Sequence, residues 1–164
     1  MSVADPERTE VLGELKLHRI LVAVDGSEHA DLALSAAITA ANRDNATITL
    51  ITVGPDLAAG PAAWSLPLAG ALDQDAVDKD AEKRLKATLK RMPEGIPVHT
   101  LYRRGKPGCE IVKAALEGDY DAIILGARGV GRVGSMLGSV SSYVMHHAQS
   151  AVFVAHGSPA QKAE

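Results

Sequence analysis

Five glycines fall within thirteen positions of the run Gly126-Ala127-Arg128-Gly129-Val130-Gly131-Arg132-Val133-Gly134-Ser135-Met136-Leu137-Gly138, followed at once by Ser139-Val140-Ser141. Glycine admits both signs of φ and lets backbone come close to a ligand, so successive N–H groups can converge on an anion. A helix beginning near Ser139 adds its unpaired N–H groups and the positive end of its dipole. The hydroxyls of Ser139 and Ser141 can donate, and Arg128 and Arg132 bring charge. Together these residues suit a phosphate chain. The competing reading is a surface loop in which Ser139 serves only as a helix N-cap.

Two familiar phosphate motifs fit poorly. Gly129-Val130-Gly131-Arg132-Val133-Gly134 matches the letters of G-x-G-x-x-G. It does not open a first βαβ unit, and no acidic residue follows about 20 positions on to hold a ribose. Gly126 and Gly131 have P-loop glycine spacing, but Arg132-Val133 stands where Lys-Ser/Thr is required.

The elements that must carry this loop follow from periodicity. Ile20-Leu21-Val22-Ala23-Val24 is a β-branched run without polar alternation, closed by Asp25-Gly26-Ser27. Such a run predicts a central strand buried on both faces. Apolar residues at helical spacing predict a helix over about 28–43, with Ser27 as N-cap. A strand over 46–53 and a long Gly/Pro/Ala segment from Gly54 to about Gly70 come next. A helix over about 73–92 carries Val77, Ala81, Leu85 and Leu89 on its apolar face and Asp75–Lys79, Asp80–Arg84 and Glu82–Lys86 on its wet side. A strand near the sheet edge at 98–103 precedes a third helix from Gly105-Lys106-Pro107-Gly108, with Ile111, Val112, Ala115 and Leu116 inward. Ala122-Ile123-Ile124-Leu125, a helix over about 139–148, and the strand Ala151-Val152-Phe153-Val154-Ala155 complete the order. The alternation βαβαβαβαβ predicts a single α/β domain, an open doubly wound parallel five-stranded sheet with helices on both faces. Ligands of such folds bind beyond the carboxyl ends of the strands, at the switch point. The loops after strands one, two and four are therefore the candidate site.

These runs resemble the universal stress protein family over about residues 18–156. The likeness rests on Ile20 to Ser27, Gly105-Lys106-Pro107, Asp121-Ala122-Ile123-Ile124-Leu125-Gly126-Ala127-Arg128-Gly129 and Leu137-Gly138-Ser139-Val140-Ser141. The ATP-binding branch of that family carries G-x2-G-x9-G-[ST]. Gly126, Gly129, Gly138 and Ser139 correspond to its anchors, with eight residues in place of nine between the second and third glycines. The resemblance implies a nucleotide site formed by Ala23, Val24, Asp25, Gly26 and Ser27, by Val53, and by Leu125, Gly126, Arg128, Gly129, Gly138, Ser139, Val140 and Ser141. It implies that Asp25 contacts the ribose and adenosine and that the Val53 main chain meets adenine. On their own letters, the competing readings are a turn residue before a helix for Asp25 and core packing for Val53. The family also implies a homodimer through Val152, Phe153 and Val154, an edge that proteins usually cover.

The expected ligand is ATP, with Mg²⁺ carried on its phosphates because no carboxylate pair marks a dedicated metal site. A nucleotide-dependent regulatory module is expected. The alternatives are a nucleotide-independent dimeric interaction protein of the same fold, or a slow ATPase or nucleotide-using transferase. No catalytic residue is assigned. A net charge of -3 gives no footprint for nucleic acid. No apolar stretch is long enough to span a bilayer, and the acidic N-terminus lacks signal-peptide order, so a cytoplasmic protein is expected. Residues 1–17 read as a partly ordered lead-in and 157–164 as a polar tail.

Other side chains say less. Adjacent His146 and His147 point about 100° apart on a helix and cannot readily clamp one metal. Cys109 reads as a small packing residue. Trp64, the single tryptophan, stands in the long apolar loop and reads as a lid, an interface contact, or a ring folded onto the body.

Overall fold

A computed structural model describes residues 13–59, 73–129 and 137–157. Among these residues five strands and four helices alternate: β1 (Arg19–Ala23), α1 (Glu28–Asp44), β2 (Thr47–Gly54), α2 (Gln74–Leu89), β3 (Val98–Arg104), α3 (Pro107–Glu117), β4 (Ala122–Gly126), α4 (Ser139–His147) and β5 (Ala151–Ala155). All neighbouring strands run parallel in the order β3-β2-β1-β4-β5. This is the predicted doubly wound sheet. The order runs backwards from β1 to β3 and forwards from β1 to β5, so it reverses between β1 and β4.

The unbroken apolar runs are explained by two separate cores. Ile20, Val22, Ile48, Leu50 and Ile124 face Leu34, Ala37 and Ala41 of α1 and Leu85 of α2. The alternate residues Leu21, Ile51, Ile123 and Leu125 face Ile111, Ala114 and Ala115 of α3 and Val144 of α4. Period-two alternation thus sends successive apolar side chains to opposite cores, and a strand covered on both sides needs both. β3, at the sheet edge, holds only intermediate and exposed residues.

Several local expectations need correction. In α2 the inward face is Asp78, Ala81 and Leu85, while Leu89 is 40% exposed. The helix ends there, so Leu89 lies past the last turn packed on the sheet. In α3 the buried positions are Ile111, Ala114 and Ala115, and Leu116 is 60% exposed. The Asp80–Arg84 pair forms as predicted, with an N···O distance of 2.5 Å. At α4 the cap is Gly138 in an extended conformation with no side-chain cap hydrogen bond, and Ser139 is the first helical residue. Ser139 is therefore not the N-cap.

Candidate functional site

Where the strand order reverses, the loop after β1 leads to α1 on one face and the loop after β4 leads to α4 on the other. The chain opens between them. A cleft of about 400 Å³ occupies this place, within the range of small-molecule sites. Of the residues singled out from sequence, Ala23, Val24, Asp25, Ser27, Val53, Leu125, Gly126, Arg128, Gly129, Gly138, Ser139, Val140 and Ser141 line it. Gly26 is absent from the lining. It turns the chain between β1 and α1 at φ +81°.

Short local bonds orient Asp25. Its Oδ1 accepts the Ser27 amide at 2.9 Å, while Ser27 Oγ accepts the Ala30 amide at 3.1 Å and caps α1. The second carboxylate oxygen faces the β4 loop: a Cβ on Gly129 would stand 2.8 Å from Asp25 Oδ2. Three residues earlier the approach is tighter. A Cβ on Gly126 would stand 2.6 Å from the carbonyl carbon of His29, in the first turn of α1. Glycine at 126 lets α1 rest on the end of β4.

The loop between the two glycine pairs is tied at its base. The Gly138 amide donates to the Ala127 carbonyl at 2.7 Å, and the Ala127 amide donates to Ala155 at 2.9 Å. The limbs 126–129 and 138–141 are thus held side by side, with the first turn of α4 opening on the cleft. Residues 130–136, including Arg132, lie outside the described residues. Ser141 is 2% exposed, and its hydroxyl donates to the Gly126 carbonyl at 2.7 Å. Its hydroxyl is engaged at the loop base, while the residue itself lines the cleft.

Val53 acquires its place from strand geometry. The β1–β2 ladder ends at the Ala23–Ile51 pair, and the Val24 amide closes on the Ile51 carbonyl at 2.9 Å. Main-chain groups of alternate residues point to the same side of a strand. The N–H and C=O of Val53 therefore point as those of Ile51 do, beyond that last pair and toward the cleft. Gly54 points the other way and accepts the Gly105 amide at 2.9 Å. Thr52, buried, donates its hydroxyl to the Val24 carbonyl at 2.8 Å and fixes the two strand ends to each other.

Sequence reasoning missed one wall. Val77, Ala81 and Arg84 of α2 and Pro107 and Ile111 of α3 also line the cleft. Positions 77, 81 and 84 share one helical face, a signal present in the spacing. Arg84 was legible only as an exposed partner of Asp80. Behind this wall, Asp78 accepts Tyr102 Oη at 2.7 Å and Gln74 Nε2 at 2.8 Å, and pairs with Arg104. The Tyr102 hydroxyl leads these donors in holding the Asp78 carboxyl below its ordinary range. Burial, then Asp78, pushes the Tyr102 phenol up to about 12.

Nδ1 of His146 and of His147 bond the carbonyls of Ser142 at 2.7 Å and Tyr143 at 2.8 Å on their own helix. Among the described residues no three His, Cys, Asp or Glu side chains meet as a metal site, and no helix is long and apolar enough to cross a membrane. Cys109 is half-buried. Trp64 lies outside the described residues.

Comparison with known proteins bears on the fold and the family. The model of the universal stress protein family matches residues 16–156. Universal stress protein YxiE of Bacillus subtilis is 32% identical over 138 residues, covering 77% of this chain and 90% of its own. The structure of universal stress protein UspA from Lactobacillus plantarum superposes with a TM-score of 0.73 at 28% identity, covering 87% of this chain and all of that one. A universal stress protein from Archaeoglobus fulgidus, solved in complex with dAMP, shares the fold with a TM-score of 0.57 at 22% identity, covering 87% of this chain and 100% of its own. On the matched model and these relatives, the chain belongs to the universal stress protein family.

Proposed function

We propose that this protein binds an adenine nucleotide, ATP with Mg²⁺ carried on its phosphates, in the switch-point cleft. It acts there as a nucleotide-dependent regulatory module of the stress response. The observation that carries this reading is the meeting of Asp25 and Gly129: an acceptor suited to ribose hydroxyls lies against a residue that has no side chain. The tied limbs 126–129 and 138–141 form a cradle that a Cβ would fill, which fits a phosphate chain beside a helix N-terminus. The outward N–H and C=O of Val53 complement N1 and the N6 amino group of adenine. The dAMP complex of a protein of this fold agrees with that chemistry.

Binding is favoured over turnover. Among the described residues, the titratable ones lining the cleft are Asp25, Arg84 and Arg128, and Asp25 is assigned to the ribose. A general base over the γ-phosphate has no candidate among them. We further propose a cytoplasmic homodimer through β5, one of the two edge strands, where Phe153 is 42% exposed.

The reading is tested by denaturing the purified protein and chromatographing the supernatant. ATP, ADP or AMP at near-stoichiometric amount is expected. Its absence, with no heat of ATP binding to the refolded or apo protein, overturns the reading and leaves a nucleotide-independent interaction protein.

A further inference from the structure

A buried carboxylate beside the cleft gathers an unusual set of donors. Asp78, on the inward face of α2, receives the Tyr102 hydroxyl and Arg104 from β3 and the side-chain amide of Gln74 from one turn earlier. Its side chain is 13% exposed. Buried carboxylates persist when their lone pairs are satisfied, as they are here.

The network reaches the cleft through Gln74. Its Nε2 donates to both the Pro55 carbonyl at 3.1 Å and Asp78 at 2.8 Å, and its Oε1 accepts the Leu57 amide at 2.9 Å. Both ends of the amide are engaged, which fixes its orientation. From the sheet side, Gly54 passes against the Tyr102 ring with no room for a side chain. Residues 54–57 are therefore gripped from α2 and from β3, immediately after Val53. Val53, Gly54 and Pro55 line the cleft, and Val77 brings the adjoining turn of α2 to the same wall.

We propose that Asp78, Gln74 and Tyr102 are positioning residues for base recognition: they hold the chain leaving β2 so that the Val53 N–H and C=O read adenine and reject an inverted purine edge. This rests on the nucleotide reading above. Adenine offers an acceptor at N1 and a donor at N6. Hypoxanthine offers a donor at N1 and an acceptor at O6, so each bond to a fixed Val53 is replaced by a clash of like groups. A main chain free to shift or rotate loses that discrimination, while contacts to ribose and phosphate on the other side of the cleft persist.

The test compares ATP with ITP by calorimetry on the full chain, in wild type, Gln74→Ala and Asp78→Asn. Gln74 is the first residue of α2 and only half-buried, so its variant keeps the core. The wild type is expected to prefer ATP by at least about tenfold, as sites built on paired hydrogen bonds do. In both variants ATP binding weakens about tenfold and ITP binding stays within about twofold, so the preference collapses. An unchanged ratio in folded Gln74→Ala, or an equal loss of both ligands, overturns the positioning role. A wild type that binds both nucleotides equally overturns it too, while leaving the nucleotide site standing. A wild type that binds neither overturns the nucleotide reading itself.

Discussion

Gly129 lies directly against the carboxylate of Asp25: a Cβ on the glycine would stand 2.8 Å from Oδ2. The contact joins the β1 loop to the β4 loop across a sequence separation that no local motif spans. The obstructing atom is the tip of a flexible side chain, so Gly129→Ala displaces the carboxylate and leaves the backbone in place. The expected outcome is a loss of nucleotide affinity of about tenfold or more, with a melting temperature within about 2 °C of wild type. Calorimetric titration with ATP and a thermal melt measure the two halves.

Gly126→Ala has the opposite signature. There the added Cβ meets the backbone of His29 at 2.6 Å, and α1 must lift from β4. Overpacking of this kind costs about 1–3 kcal/mol. Urea denaturation should show the unfolding free energy falling by that amount, with a lower midpoint at unchanged slope.

Ser141→Ala tests what the buried hydroxyl does. It donates to the Gly126 carbonyl at 2.7 Å, and its loss leaves that acceptor without its donor at a cost of about 1–2 kcal/mol. Nucleotide affinity should stay within about threefold, because the hydroxyl faces the loop base. A large affinity loss at unchanged stability would assign the hydroxyl to the ligand.

Acid sensitivity follows from three carboxylates. The Arg43 side chain and then the Leu17 amide hold Asp44 at about 2. Tyr102 leads in lowering Asp78, and the Arg19 amide leads in lowering Asp121. Folded values below the unfolded ones mean that the unfolded chain binds more protons in the window between. The stabilisation is complete above about pH 4 and is lost as pH falls toward 2. The urea midpoint should drop over that range, and Asp44→Asn should flatten the drop. At the alkaline end the sign reverses. Tyr102 is raised to about 12, so its contribution holds below about pH 10 and fades above it. Tyr102→Phe should remove that alkaline slope.

Phe153→Glu places a charge on the outer face of the edge strand. A homodimer through β5 should dissociate in this variant. Sedimentation at matched concentration should show a dimer for wild type and a monomer for Phe153→Glu, with unchanged circular dichroism. A wild-type monomer would remove the proposed interface.

The sheet was legible because its central strands carry apolar residues without alternation, as Ile20-Leu21-Val22 does. The glycine loop was legible because its letters have few other uses. The Asp78 cluster was not. An acidic residue on a helix rich in acid–base pairs reads as solvated, and its burial arises from Tyr102 and Arg104 on a strand 24 and 26 residues away. One local sign existed: Asp78 shares a helical face with Ala81 and Leu85. The direction of the Ser141 hydroxyl had no sign at all. It depends on the Gly126 carbonyl, 15 residues earlier, being brought beneath the first turn of α4.

The reversal of strand order also sets a schedule for synthesis. β1 lies between β2 and β4, and the amides of His18 and Arg19 at its entry bond Asp121 at 2.7 and 2.8 Å. A nascent chain that has made only β1, α1 and β2 can cover one side of that hairpin-free sheet, while Leu21 and Ile51 await Ile111 and Val144. At usual elongation rates the wait from residue 54 to residue 147 lasts roughly 5–19 s. For those seconds the apolar face destined for the second core is the surface that a ribosome-bound chaperone would meet.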